Sequence, residues 1–258
     1  MLAHVETFKK YKYLLKNLIM KDIKLKYRRS ILGILWSVLN PLMMMIVISA
    51  VFSNIFKFSV ANFPIYYLTG STLFNMLSET TSSAMMSILG ASSLIKKVYI
   101  PKYIFPLEKC LFGFVNFLFS MIAVAIMYVI LGYPVYWTVL LFPIPVFYTL
   151  VFAIGISMIL STLSVFFRDI IHLYSVLLTA WTYFTPIVYP QEILSYKIKD
   201  IMSLNPMFHY VQYFRDVMMY NTLPGFGENL TCASIAVGTL IIGLLFFKVK
   251  QDKFILYM

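Results

Sequence analysis

Long apolar stretches alternate with short polar ones along almost the whole chain. A helix needs about 20 predominantly apolar residues to cross a bilayer, and six stretches come close to or exceed that length. The predicted spans are residues 31–56, 63–89, 105–131, 137–167, 170–188 and 230–247. The fourth is long enough to be tilted or broken near Pro143 and Pro145. The pattern predicts an all-α polytopic membrane protein with six transmembrane helices, in one membrane domain over residues 1–258.

Residues 10–29 have the periodicity of an amphipathic helix. At about 100° per residue, the apolar positions fall on one arc and most lysines on the opposite one. Asp22 and Lys26 interrupt the apolar arc and are four residues apart, so we expect them to pair. The segment is predicted to be an N-terminal interface helix, lying against the anionic lipids of the cytoplasmic surface. A solvated basic tail is the simpler alternative.

The loop between the second and third spans has the pattern of a docking element. Within residues 92–105 the pattern predicts a short amphipathic helix that starts at Ser92 or Ser93, runs through Tyr99 and is stopped by Pro101. An apolar side flanked by lysines suits a groove on a cytosolic partner. A basic loop that only sets topology explains the same pattern. The candidate docking residues are Leu94, Ile95, Lys96, Lys97, Tyr99 and Pro101.

A second long connection, residues 189–228, follows the fifth span. It predicts two short helices, the second amphipathic and lying on or dipping into the outer leaflet. Such helices would cap or gate an opening. A loop that follows the membrane interface, with an ordinary aromatic belt, is the alternative. The candidate gate residues are Tyr189, Pro190, Asn205, Pro206 and Tyr213.

Composition and charge agree with this organisation. Hydrophobic residues make up 61% of the chain and charged residues 12%, against roughly half and a quarter in soluble domains. The net charge is +11, but the basic residues lie mainly between apolar runs, where they set topology. Only Lys57, Lys197, Lys199 and Arg215 lie on the side opposite the termini. Both termini and the loop around residue 100 are therefore predicted to be cytoplasmic, and no nucleic-acid partner is expected.

Polar and aromatic residues inside the predicted spans are candidates for the lining of a conduit. The second span is the most polar, and its Glu79 is the one carboxylate that we expect deep in a span. Glu79 fits either a strut between helices or a pore-facing acid. Aromatic faces can bind the C–H faces of sugars, each contact being worth on the order of 1 kcal/mol, although packing or an aromatic belt explains any single ring better. The candidate aromatic residues are Trp36, Tyr66, Tyr67, Tyr128, Trp181 and Tyr183.

Enzyme chemistry has little support in the sequence. No glycine is followed by lysine, so no P-loop is present, and the three histidines form no HExxH motif. Cys110 and Cys232 are far apart and have no metal-ligand spacing. We therefore expect no metal or cofactor bound by this chain and no ATP hydrolysis of its own.

Four segments resemble the permeases of type-2 ABC exporters of cell-surface polysaccharides, which include the exporters of O-antigen, capsule and teichoic acid. The segments are LKYRRSILGILWSVLNPL at 25–42, VFFRDI at 165–170, YFTPIVYP at 183–190 and LNPMFHYVQYFRD at 204–216. The length and the six-span plan are also similar, so the resemblance covers nearly the whole chain.

The resemblance implies a homodimer in the bacterial inner (plasma) membrane, working with two copies of a separate ATPase subunit that binds ATP and Mg. It implies that residues 92–105 form the coupling helix that docks on this ATPase. It also implies that residues 28–33 form a loop near the cytoplasmic opening, and that the cargo is a polyprenyl-diphosphate-linked glycan.

Lys26, Arg28, Arg29 and Gly33 are the candidate diphosphate-binding residues, because arginine binds phosphate in a bidentate way. Anchoring of the topology explains these cations about as well. Two alternative functions remain open at this point: the same architecture exporting a drug or lipid, and a membrane-embedded transferase acting on a lipid-linked sugar.

Overall fold

The computed structural model describes residues 2–28, 30–55 and 62–257, and these residues are helical with no strand among them. The α-helices are α1 Leu2–Tyr27, α2 Trp36–Ile55, α3 Phe63–Met85, α4 Ser87–Gly90, α5 Ser92–Ile95, α6 Ile104–Ile130, α7 Pro143–Phe166, α8 Ile170–Tyr183, α9 Tyr196–Met202, α10 Pro206–Met218 and α11 Phe226–Lys250. Short 3₁₀ turns occupy Gly33–Leu35, Trp137–Leu141, Gln191–Ile193 and Gln251–Leu256.

Four helical stretches of the described ranges are long and apolar enough to cross a membrane: Gly33–Phe52, Ile104–Ile130, Trp137–Phe166 and Phe226–Leu256. They correspond to the first, third, fourth and sixth predicted spans, and they make the chain a multi-pass membrane protein. The second predicted span is α3, whose many polar residues lower its hydropathy. The fifth is α8, which is apolar but 14 residues long. The count of six spans stays a prediction.

Two prolines set the ends of these helices. The predicted break in the fourth span is present, because a 3₁₀ turn ends at Leu141 and α7 begins at Pro143. Proline is favoured in the first turn of a helix, where its missing N–H has no partner to lose. α8 ends at Tyr183, five residues short of the predicted end at 188, because Pro186 disfavours helical backbone in the residue before it.

The bundle is built around α3, which packs against α2, α6, α7 and α10, while α7 also packs along α11. The contact between α7 and α11 brings the two backbones together. A Cβ on Gly155 would lie 2.6 Å from the backbone of Thr239, and a Cβ on Gly243 would meet the carbonyl oxygen of Gly155. Small residues at such crossings let membrane helices approach closely.

The helix predicted over 92–105 is wrong in extent. α5 is a single turn that ends at Ile95, and no side chain caps its start; residues 96–103 are not α-helical. Ile95 and Ile100 are both buried in one cluster with α6 and α7 residues. In a continuous helix two positions five apart would point about 140° away from each other, so burying both requires the helix to end between them.

The connection over residues 189–228, predicted to be external, contains two short helices, α9 and α10. The side chain of Asn205 accepts a hydrogen bond from the Met207 backbone N–H at 3.0 Å, and Pro206 occupies the first helical position. α10 is amphipathic as predicted, but its apolar side is buried against α3 and α7. It is thus part of the helix bundle rather than a surface element.

Candidate functional site

A polar cavity of about 590 Å³ lies where the C-terminal end of α1 meets α2, α3 and α6. Its volume is within the range of about 300–1,000 Å³ that is typical of small-molecule sites. Three predicted site residues, Lys26, Trp36 and Glu79, line it together. The full lining is Lys26, Tyr27, Trp36, Ser37, Asn40, Pro41, Asn75, Ser78, Glu79, Ser82, Ser83, Asn116 and Ser120.

The polarity of α3 divides between two faces of the helix. Asn75, Ser78, Glu79, Ser82 and Ser83 line the cavity, and their spacing of three and four residues puts them on one helical stripe. The threonines on the other faces are buried, and each donates its hydroxyl to the carbonyl four residues earlier; they are Thr69, Thr72, Thr80 and Thr81. Only the stripe therefore keeps polar groups available to a ligand.

Lys26 is held by Glu79 rather than by Asp22, so the predicted pair between Asp22 and Lys26 is wrong. The Lys26 Nζ lies 2.6 Å from Glu79 Oε1, and the Asn116 amide donates to the same oxygen at 2.9 Å. The ammonium also lies 5.5 Å from the ring centroid of Phe112. Glu79 is thus a strut between α1, α3 and α6, and its side chain still contacts the cavity.

Asp22 binds Lys109 at the start of α6, and Lys109 also lies 3.2 Å from Glu108. Glu108 is 3% exposed, and its Oε1 has no hydrogen-bond partner among the described residues. Glu108 lies near the predicted start of the third span and beside a lysine, so its burial does not bear on the expectation that Glu79 is the one carboxylate deep in a span.

The floor of the cavity contains a proline whose effect on the helix is compensated. Pro41 has no N–H to donate to the carbonyl of Ser37 four residues earlier. The Ser120 hydroxyl of α6 donates to that carbonyl at 3.3 Å instead. Tyr27 adds a second tie between elements, since its hydroxyl hydrogen-bonds the Ser37 hydroxyl and donates to Asn116 Oδ1 at 3.3 Å. The wall formed by α2 is therefore fixed to α1 and α6.

Several polar groups of the lining have no hydrogen-bond partner among the described residues. They are the side chains of Asn40, Asn75, Ser78, Ser82 and Ser83, and the indole of Trp36 is also unbonded and 45% exposed. Each asparagine offers two donors and one acceptor, and each serine offers a hydroxyl. The cavity thus presents free neutral donors and acceptors beside an aromatic face.

The predicted diphosphate-binding residues are not all in this cavity. Arg28 follows the last residue of α1 and is exposed, and it does not line the cavity. Gly33 has φ +49°, a left-handed conformation that glycine adopts without strain, and its N–H donates to the Ser30 hydroxyl at 3.1 Å. Arg29 lies outside the described residues. Of this predicted set, only Lys26 is part of the lining.

The predicted aromatic residues do not share one cavity within this chain. Trp36 lines the cavity beside Lys26 and Glu79, whereas Tyr183 is exposed at the end of α8. The others pack inside the bundle: Tyr66 and Tyr67 are buried, Tyr128 donates to the Met218 carbonyl at 2.7 Å, and Trp181 packs its edge against Phe74 and Phe152.

Two of the predicted gate residues are bonded to the end of α8, and one of them, Asn205, connects it to the start of α10. Asn205 accepts from the Trp181 indole at 2.6 Å and donates to the Phe184 carbonyl at 3.1 Å. The Tyr189 hydroxyl donates to the Tyr183 carbonyl at 2.7 Å. Of the remaining three, Pro190 precedes the 3₁₀ turn, Pro206 begins α10, and Tyr213 donates to Asn229 on α11 at 2.7 Å.

Arg215, which the sequence suggested only as one more external charge, is the polar centre of this region. It is 1% exposed, and its guanidinium carbon lies 3.5 Å from the ring centroid of Tyr66. It donates to the carbonyls of Pro186 at 2.7 Å and Tyr66 at 3.1 Å. Gly70 makes room for it, since a Cβ there would lie 2.5 Å from the Arg215 Nη2.

The candidate docking residues divide between an exposed and a buried set. Leu94, Lys96 and Lys97 are exposed, and Tyr99 is 90% exposed. Ile95 is buried and Pro101 half-buried. The loop therefore has an outer side available to a partner and an inner side anchored on α6 and α7.

Comparison with known proteins shows which family the chain resembles. The family model described as ABC-2 type transporter matches residues 13–219. The O-antigen export system permease protein RfbA of Myxococcus xanthus is 28% identical over 256 residues, which is 98% of each chain. Two proteins of the same name from Klebsiella pneumoniae are 28% and 27% identical over 204 residues, 79% of each chain.

Proposed function

This chain belongs to the ABC-2 type transporter family, and from that membership we infer that it is the membrane-spanning permease subunit of an ABC exporter for a lipid-linked O-antigen-type polysaccharide. The assignment of the cargo rests on the similarity to the Myxococcus xanthus O-antigen permease along 98% of both chains. The chain is a transport subunit rather than an enzyme. The drug or lipid exporter and the membrane transferase have no comparable support.

We propose that the working unit is a homodimer with two ATPase subunits, in the bacterial inner membrane, with six spans in each chain and both termini in the cytoplasm. The exposed apolar side chains of α2 and α8 support a partner on these faces. On α2 they are Met43, Ile46 and Val47, and on α8 they are Leu173, Val176 and Leu177. ATP and Mg would be bound by the partner, since this chain has no P-loop.

Docking of the ATPase is proposed at the exposed side of the loop around α5, through Leu94, Lys96, Lys97 and Tyr99. The physical support is the anchoring of the same loop by Ile95 and Ile100 in a cluster with α6, α7 and α11 residues. A push on the exposed side is then transmitted to these helices, because a close-packed cluster deforms little.

The exposed loop between α1 and α2 is proposed to receive the lipid diphosphate. Arg28 and Arg29 keep their candidate role there, with the Gly33 turn beside them. Lys26 is better assigned to its ion pair with Glu79. On the external side, α9 and α10, with the residues from Tyr189 to Tyr213, are proposed to limit leakage while the polymer passes.

Deletion of this chain from its host tests the proposal directly. We expect loss of the surface polysaccharide and accumulation of its lipid-linked form inside the cell, both reversed by complementation. The purified chain with its ATPase subunit should hydrolyse ATP faster in the presence of the lipid-linked polymer. Normal surface polysaccharide in the deletion strain, or transport at full rate without nucleotide, would overturn the proposal.

A further inference from the structure

Among the described residues, the lining of the polar cavity has no uncompensated positive charge. This described lining includes one cation, Lys26, and one anion, Glu79, and the two are paired at 2.6 Å. A diphosphate is bound by several charge-assisted hydrogen bonds from free cations or backbone N–H groups. An ammonium that already has a carboxylate partner offers little to such an anion, so the diphosphate is not the group that this cavity fits.

The remaining groups of the lining match the chemistry of a neutral saccharide. The free amides of Asn40 and Asn75 and the free hydroxyls of Ser78, Ser82 and Ser83 can exchange hydrogen bonds with sugar hydroxyls. The exposed face of Trp36 can pack against sugar C–H groups. A few placed polar groups beside an aromatic surface are the usual means by which a site orients a small ligand.

We propose that this cavity is a binding subsite for the uncharged sugar residues next to the lipid diphosphate, and that the diphosphate itself stays outside it, at the loop that begins with Arg28. The assignment rests on the proposed export function. Arg28 is two residues from Lys26, and a chain of two residues spans at most about 7 Å. A diphosphate at the loop would therefore leave the first sugars within reach of the cavity.

The test compares two probes on the exporter assembled with its ATPase subunit in lipid nanodiscs. The first probe is the phosphate-free oligosaccharide released by mild acid from the host's surface polysaccharide, followed by saturation-transfer NMR. The second is inorganic pyrophosphate, followed by ³¹P line broadening. We expect the unmodified protein to bind the oligosaccharide and, in the cavity, not the pyrophosphate.

Variants of the lining then decide between the two ligands. Trp36→Leu and Asn75→Ala should each weaken oligosaccharide binding about fivefold, the effect of losing one contact of this kind. Trp137→Leu and Asn17→Ala, which replace exposed residues outside the cavity, are the matched controls and should not change it. Glu79→Gln should create pyrophosphate binding that Lys26→Met removes, and such a gain cannot come from misfolding.

Two results would overturn the assignment. One is pyrophosphate binding in the unmodified protein that is lost in Lys26→Met. The other is oligosaccharide binding that neither Trp36→Leu nor Asn75→Ala weakens. If surface polysaccharide still depends on the chain in cells, either result removes the subsite alone. Normal surface polysaccharide in the deletion strain removes the export function itself.

Discussion

Lys26 and Arg215 are two cations in polar regions at different places in the chain, and their surroundings are opposite. The side chains of Lys26 and its carboxylate partner Glu79 are 38% and 34% exposed, in a cavity with free polar groups. Arg215 is buried, has no carboxylate partner among the described side chains, and uses backbone carbonyls and an aromatic ring. The first region keeps hydrogen-bonding capacity available, as a binding site requires. The second uses almost all of it to hold three elements together, as a structural clamp requires.

Replacing Arg215, the centre of this structural clamp, should cause the largest loss of stability. Arg215→Met should remove the charged hydrogen bonds to the carbonyls of Pro186 and Tyr66 and open a void beside the Tyr66 ring, and we expect a loss of about 3–5 kcal/mol in stability. The measurement is the thermal stability and yield of folded protein in detergent. Lys199→Met, which removes an exposed cation of α9, is the control and should have little effect. Unchanged stability of Arg215→Met would mean that the guanidinium does not hold α10.

A smaller effect is expected from filling the space beside the guanidinium. The Cβ of Gly70→Ala would lie 2.5 Å from Arg215 Nη2, so the side chain must move and lose its hydrogen bonds. Overpacking of this kind costs about 1–3 kcal/mol. Gly238→Ala, where the added Cβ meets nothing within 4 Å, is the matched control and should be neutral or slightly stabilising. If Arg215→Lys in the same chain restores none of the lost stability, the clash is not the cause.

Asp216, the residue next to Arg215, should make the stability of the protein depend on pH. Burial raises the pKa of Asp216 to about 6, and its carboxylate accepts from Gln212 at 2.8 Å. Because the folded-state pKa is above the unfolded one, the ionised form destabilises the fold, fully above about pH 6 and not at all below the ordinary value of 3.8. Stability should therefore rise as the pH falls from 7 to 5, by on the order of 1 kcal/mol. Asp216→Asn should flatten this profile, and an equally steep profile in the variant would exclude Asp216 as the titrating group.

The smallest effect on stability is expected at the ion pair between Lys26 and Glu79. Exposed ion pairs contribute about 0–1 kcal/mol, so Lys26→Met, Glu79→Gln and the double variant should all unfold close to the unmodified protein. A double-mutant cycle by thermal unfolding measures the coupling. A coupling as large as the loss in Arg215→Met would show that Lys26 is also a structural clamp, and it would erase the contrast between the two regions.

The sequence predicted the helical class, the amphipathic N-terminal helix and the break near Pro143, because hydrophobic periodicity and proline act locally. It also brought Lys26, Trp36 and Glu79 to attention, although their meeting in one cavity depends on how α1 crosses α3. It failed where a residue's partner is distant in the chain. Asp22 and Lys26 have suitable helical spacing, yet each binds a residue from another helix.

Arg215 is a second residue whose partners are distant in the chain and could not be predicted from the sequence. Its neighbours at positions 210, 211, 214, 217 and 218 are apolar with helical spacing, which is the pattern of the apolar face of the predicted amphipathic helix on the outer leaflet. Nothing local predicts that an arginine shares that face, because its acceptors come from Tyr66 and Pro186. The polar stripe of α3, by contrast, was readable at spacings of three and four residues, and only the separate fate of the threonines needed the structure.

The glycine contact between α7 and α11 has a consequence for movement during transport. With the backbones touching at Gly155 and Gly243, no side chain lies between the helices to change rotamer and absorb sliding. We therefore expect α7 and α11 to move together as one rigid unit when the transporter opens and closes. We then expect the displacement to fall on helices with few contacts to this pair, such as α2 and α8, whose apolar flanks are also exposed.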